Sequence, residues 1–215
     1  MSPNFAGKFH YTKNLIPAAR NREVYLPKHG FPAILACQMT KILAVLCAAA
    51  SCAAADTTVS KIYDGPIRNA ESEIVSLTQA MPADKFDFAP TQGEFKGVRT
   101  FAQQAKHLST AIYEVSAAIL GEKAPVEIGK DENGPASVKT KEQIVQYMKD
   151  AFAYAHKAVA TINAENQVRM VKSPFGSGEI AVGSLAQIVA WHSFDHYGQM
   201  VEYARMNGIV PPASR

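Results

Sequence analysis

In the segment GSLAQIVAWHSFDHYGQMVEYARMNG, residues 183–208, a stripe recurs every three or four positions at Leu185, Ile188, Val189, His192, His196, Gln199 and Tyr203. At ~100° per residue these positions share one side of an α-helix, the side that faces a core. Ser184 is an N-cap candidate, Asn207-Gly208 offers a left-handed stop, and Pro211-Pro212 prevents continuation. The stripe carries two imidazoles at i and i+4, which are neighbours on one face. Burying a neutral imidazole requires both a donor and an acceptor to be satisfied, and an unpaired polar group costs ~1–3 kcal/mol. A metal ion satisfies the acceptor side of both rings at once, by the geometry that helical zinc motifs use. The position after His192 is Ser193, not Glu, so the zincin motif is absent.

Working back from this segment, three more stretches have helical period. The first runs from about Thr58 to Ala80 with Ile67, Ile74 and Leu77 as its stripe; Gly65-Pro66 is expected to kink it or to delay its regular part. The second spans about Val98 to Leu120 through Phe101, Ala105, Leu108, Ile112, Val115 and Ile119, with Gly121 as its stop. The third follows Thr140 and Gln143, which have capping-box spacing, and buries Ile144, Met148, Ala151, Ala155, Val159 and Ile162 before ending near Asn163. No Val-, Ile- and Thr-rich alternation is long enough to argue for a sheet. The fold class is therefore all-α, a four-helix bundle. The loop from Met81 to Gly97, with Phe86, Phe88 and Phe95, is expected to cover one end of it. The loop from Glu122 to Val138 reads as polar surface, and a further long connection runs from Ala164 to Gly183.

The 215-residue chain divides after about its first quarter. Met39-Thr-Lys41 leads into an apolar run, Ile42 to Ala50, too short to span a bilayer, and Ala53-Ala54-Ala55 before Asp56 suits signal peptidase. Residues 39–55 thus read as a signal peptide, residues 1–38 as a disordered upstream extension, and 56–215 as the mature domain, exported to the periplasm or secreted. Ala49-Ala50-Ser51-Cys52 is a weaker lipobox; lipidation at Cys52 is the one route to a membrane tether. The whole chain has a net charge of +3, but residues 56–215 hold 16 basic against 18 acidic residues, a net −2. They lack the basic footprint that nucleic acid requires. Cys37, Cys47 and Cys52 all precede the mature domain, leaving it without a disulfide or a cysteine nucleophile.

A third metal ligand must come from another helix, and His107 and His156 both lie one residue off a stripe. Helix midpoints sit at similar depth in an upright bundle, and His192 and His196 straddle the middle of their helix. His107 is two or three residues from its midpoint, whereas His156 is four or five past its own, an offset of ~7 Å. Depth favours His107 and keeps His156 as the alternative.

Two blocks resemble the DinB superfamily of bacterial four-helix bundles. One is Val98-Arg99-Thr100-Phe101 leading to His107; the other runs from His192 to Gln199 and on through Tyr203, Arg205 and Asn207 to Pro212. The resemblance covers roughly Thr58 to Pro212. It implies an up-down-down-up bundle whose metal histidines are His107, His192 and His196. Asp195 stands where many members carry an additional histidine, and reads as a surface or supporting residue.

Three neutral nitrogens leave zinc or nickel with an open position, the arrangement of a reactive site. Its ligand could be water with a pKa near ~7 or a substrate thiol held as thiolate. Some members of the family transfer low-molecular-weight thiols, so the resemblance implies a metal-dependent transferase; a metal-dependent hydrolase and a non-catalytic metal-binding bundle are the alternatives. Gln199 is a candidate to orient a ligand or to bond a helix carbonyl. Tyr113 and Glu114 lie one to two turns beyond His107, within reach of the site, although a solvated Glu114 is the favoured reading; Trp191, Tyr197 and Tyr203 read as core or rim packing. Expected partners are a small-molecule thiol or electrophile and a second copy of the chain.

Overall fold

The apolar stripes of the first three segments are buried in the computed structural model, which describes residues 59–215. The upstream extension, the signal peptide and Cys52 lie outside the described residues. Helix α1 covers residues 59–80, and α2 (Phe101–Leu120), α3 (Lys141–Val159) and α4 (Val182–Met206) follow. Helix α2 packs against both α3 and α4. No described helix is long and apolar enough to cross a membrane.

Helix α1 is helical on both sides of Gly65-Pro66, so its regular part is not delayed. A proline inside a helix costs ~3 kcal/mol. Ile67, Ile74 and Leu77 are each fully buried, and at ~1.5–3 kcal/mol per side chain they outweigh that cost. Helix α2 starts three residues later than expected, at Phe101, because Thr100 and Gln103 close a capping box: Gln103 N–H donates to Thr100 Oγ1 at 3.2 Å, and Thr100 N–H donates to Gln103 Oε1 at 2.9 Å. Thr140 and Gln143 cap α3 in the same way, as their spacing predicts. Gly121, with φ 72°, ends α2 in the left-handed conformation. Helix α3 stops at Val159, four residues short of the expected Asn163.

Among the described residues, the long connection before α4 holds the one departure from an all-helical reading. Strands β1 (Met170–Lys172) and β2 (Glu179–Ala181) form a short antiparallel hairpin in which Val171 faces Ile180. Three-residue strands are too short to leave an alternating signature, and this one is exposed, intermediate, exposed in burial. The chain passes directly from β2 into α4, so Ser184 is not the N-cap; Ala181 holds that position without a side-chain bond. Gly183 permits this entry, since a Cβ there would collide with the hydroxyl of Tyr63 on α1.

The aromatic loop closes one end of the bundle as expected. Phe86 packs edge-on against Phe101 at 5.3 Å and Phe88 against Tyr203 at 5.7 Å between ring centroids, although Phe95 is exposed.

Candidate metal centre

The deepest line of α4 runs through Leu185, Val189, Ser193, His196, Met200 and Tyr203. This line differs from the expected stripe in its middle: His196 is buried, His192 sits at its margin, and Gln199 is exposed. Helix α2 brings His107 across from them. The ring centroid of His107 lies 5.3 Å from that of His192 and 4.8 Å from that of His196, and the two rings of α4 are 4.5 Å apart. One ligand nitrogen from each histidine falls within 4.8 Å of the others. Among the described residues no other group of three His, Cys, Asp or Glu side chains is so placed.

The bonds behind two of the rings set their tautomers. His107 Nδ1 lies 2.6 Å from the backbone carbonyl of Glu132. A carbonyl oxygen only accepts, so Nδ1 carries the proton and Nε2 presents its lone pair. His196 Nδ1 lies 2.6 Å from Gln104 Oε1, while Gln104 Nε2 donates to Gln199 Oε1 at 2.8 Å. With its amide nitrogen engaged as donor, Gln104 meets the ring through its oxygen, and His196 too is fixed as the Nδ1–H tautomer. Gln199 in turn donates to Asp195 Oδ2 at 3.3 Å. Gln199 therefore supports His196 through Gln104 instead of bonding a helix carbonyl, and Asp195 ends the relay at the surface. His192 makes no hydrogen bond to any described residue.

Burial keeps these rings neutral. Desolvation is the largest influence on each; it lowers His107 and His192, and it takes His196 down to about 3, with the neighbouring imidazoles and Arg99 adding to the effect. Neutral imidazole is the form that ligates a metal. Three adjacent imidazoles, one buried and two half-buried at the edge of the core, with no protein donor to meet their free lone pairs, are a donor set suited to a divalent metal.

His156 has a different role. Its Nδ1 meets Asp64 and its Nε2 lies 3.0 Å from Glu71, both on α1, and Arg68 pairs with Asp64 on its other side. Both ring nitrogens face acceptors, so none is left for a metal. Helix α3 being shorter than expected, His156 lies six residues past its centre, ~9 Å along the axis.

The loop expected to be plain polar surface instead builds a wall of the site. Arg99 donates to Glu132 Oε2 at 2.7 Å and to Asn133 Oδ1 at 3.1 Å, and Lys106 Nζ reaches the carbonyl of Pro135 at 3.2 Å. These bonds fold residues 128–135 back over α2. Between this loop, α2 and the β1–β2 turn lies a cleft of about 750 Å³ with His107 and His192 in its lining, together with Glu114, Ile128, Asp131 and Phe175. Glu114 is therefore a half-buried wall residue, not the solvated one expected. Tyr113 is fully buried against Tyr147 and Tyr154, Tyr197 is half-buried, Tyr203 donates its hydroxyl to the carbonyl of Arg99, and exposed Trp191 stands edge-on to His192 at 5.6 Å.

A family model described as the DinB superfamily matches residues 67–200. The chain belongs to the DinB superfamily. A DinB-like protein from Bacillus subtilis, known from its crystal structure, is 14% identical, with a TM-score of 0.50 over 68% of this chain and 92% of that one, which shows the shared fold. No curated protein matches significantly. All three histidines assigned to the metal lie within the matched residues 67–200.

Proposed function

We propose that this DinB chain is an exported metalloprotein holding one divalent ion, zinc or nickel, on His107, His192 and His196, and that it transfers a small-molecule thiol to an electrophile. The observation that carries the metal reading is the pair of fixed tautomers: bonds to Glu132 O and Gln104 Oε1 leave the Nε2 lone pairs of His107 and His196 free, and one nitrogen from each of the three rings lies within 4.8 Å of the others. A divalent ion held by these three imidazoles would supply Lewis acidity that favours the ionised form of a substrate thiol.

The chain's own side chains do the rest. Gln104 and the carbonyl of Glu132 hold two imidazoles in register, so little reorganisation is needed when the ion binds. Ile128, Phe175 and Ala111 give part of the cleft an apolar lining against which an organic substrate can pack. The described residues contain no cysteine, so a thiol nucleophile must arrive with the substrate.

The test is elemental analysis of protein purified without chelator or a nickel-affinity tag, beside His107→Ala. About one zinc or nickel per wild-type chain and its loss from the variant are expected; equal metal in both would remove His107 from the site. Activity is read with a low-molecular-weight thiol and an electrophilic acceptor. Product that forms at the same rate without the thiol would replace transfer by hydrolysis, and metal retention without any turnover would leave a binding protein.

A further inference from the structure

Glu114 lies seven residues after His107 on the same face of α2, two turns and ~10 Å along the axis. It lines the same cleft as His107 and His192. The other acids of that wall are already engaged: Glu132 is paired with Arg99, and Asp131 accepts the backbone N–H of Asn133 at 2.8 Å. Glu114 forms no hydrogen bond or ion pair with any described residue. Burial, and to a lesser degree the like charge of Glu132, push its carboxyl above the usual range. A half-buried carboxylate without a partner is costly to maintain, and it faces the space a substrate would fill.

We propose that Glu114 is the specificity residue of this cleft and selects a substrate that carries a positive charge, an ammonium in the simplest case, at the end opposite its reacting end. The proposal rests on the metal reading only for the position of that reacting end. Lys130, the one basic residue in the lining, is exposed, so the half-buried charge that an incoming ligand meets beyond the histidines is negative. Asp131 is exposed as well, and contributes less than Glu114 to that charge.

Trp191 is the single tryptophan of the chain and touches His192, so its fluorescence reports on the site. The experiment titrates the zinc-loaded chain with 4-aminobutane-1-thiol, 4-mercaptobutyrate and butane-1-thiol, in wild type, Glu114→Gln and Asp131→Asn. Wild type is expected to bind the aminothiol about tenfold more tightly than the mercapto acid. Glu114→Gln should bring the two within about twofold and leave butane-1-thiol unchanged, while Asp131→Asn keeps most of the preference. A wild-type preference for the mercapto acid, or an unchanged preference in Glu114→Gln, would overturn the proposal; equal losses in both variants would reassign selectivity to the general acidity of the wall and overturn the role of Glu114. Metal-free protein titrated with butylammonium and butyrate, followed by amide NMR shifts along α2, decides the same point without zinc. Saturable shifts with butylammonium alone, lost in Glu114→Gln, support the proposal, and their absence refutes it, whatever the fate of the metal reading.

Discussion

Replacing Gln104 by methionine keeps the length of the side chain and removes the acceptor behind His196. Gln104 is 2% exposed and His196 5%, so no bulk water takes its place. An unsatisfied buried donor costs ~1–3 kcal/mol, and loss of the partner behind a metal-ligating histidine lowers metal affinity ~10–100-fold. The burial on both sides places this site toward the upper part of that range, about 2.7 kcal/mol for a hundredfold loss. The assay is competition for zinc against a chromophoric chelator, with helical circular dichroism as the check on folding. Gln104→Glu retains an acceptor and should lose little. Gln199→Ala removes only the exposed second member of the relay and should cost about threefold or less. If Gln104→Met folds and binds zinc within twofold of wild type, the bond from His196 does not organise the site and the tautomer argument fails.

The His156 clamp is structural, so His156→Leu should cost about 1–3 kcal/mol in urea unfolding by leaving Asp64 and Glu71 without their shared donor, with metal content unchanged; a fall in metal content would reopen the choice between His156 and His107. In metal-free protein the depressed His196 makes stability depend on pH, because the unfolded chain takes up a proton near pH ~6.5 that the folded chain refuses until about 3. Stability is full above ~6.5 and falls by up to about 1.4 kcal/mol per pH unit as pH drops toward 3; urea midpoints at pH 7, 5 and 4 should show this slope, and His196→Asn should flatten it. Gly129 has φ +86°, and a Cβ there would sit 2.6 Å from the backbone of Gly134. Gly129→Ala should therefore displace the loop that carries the Glu132 carbonyl and weaken zinc binding severalfold, an effect of about 1 kcal/mol; unchanged affinity would show that His107 holds its orientation without that loop.

The helices were legible because each repeats one physical decision many times. In α2 the residues Phe101, Ala105, Leu108, Ile112, Val115 and Ile119 all point inward, and no single exception could hide the period. The helix ends were less legible, since each depends on a few local bonds. Thr140 and Gln143 could be read from their spacing, but Ala181 begins α4 with no capping side chain to mark it. The start of α4 is set by β2 and by the approach of Tyr63 to Gly183, contacts between residues far apart in the chain.

The site divides along the same line. His192 and His196 announce themselves by spacing within one helix, and His107 follows from depth once four parallel or antiparallel helices are assumed. Gln104 is open to the same logic: it is a long polar side chain beside Ala105 and Leu108, a position whose burial demands a partner, and the buried His196 on another helix is that partner. Glu132 was not open to it. It acts through its backbone carbonyl, which every residue possesses, and its position comes from Arg99, 33 residues earlier. Arg99 belongs to the short block preceding His107 that carries part of the family resemblance, so that block specifies more than a helix start. By anchoring the loop that orients His107, it joins the ligand to its support, and a chain keeping the three histidines but lacking this arginine would hold its metal more weakly than the histidine pattern alone suggests.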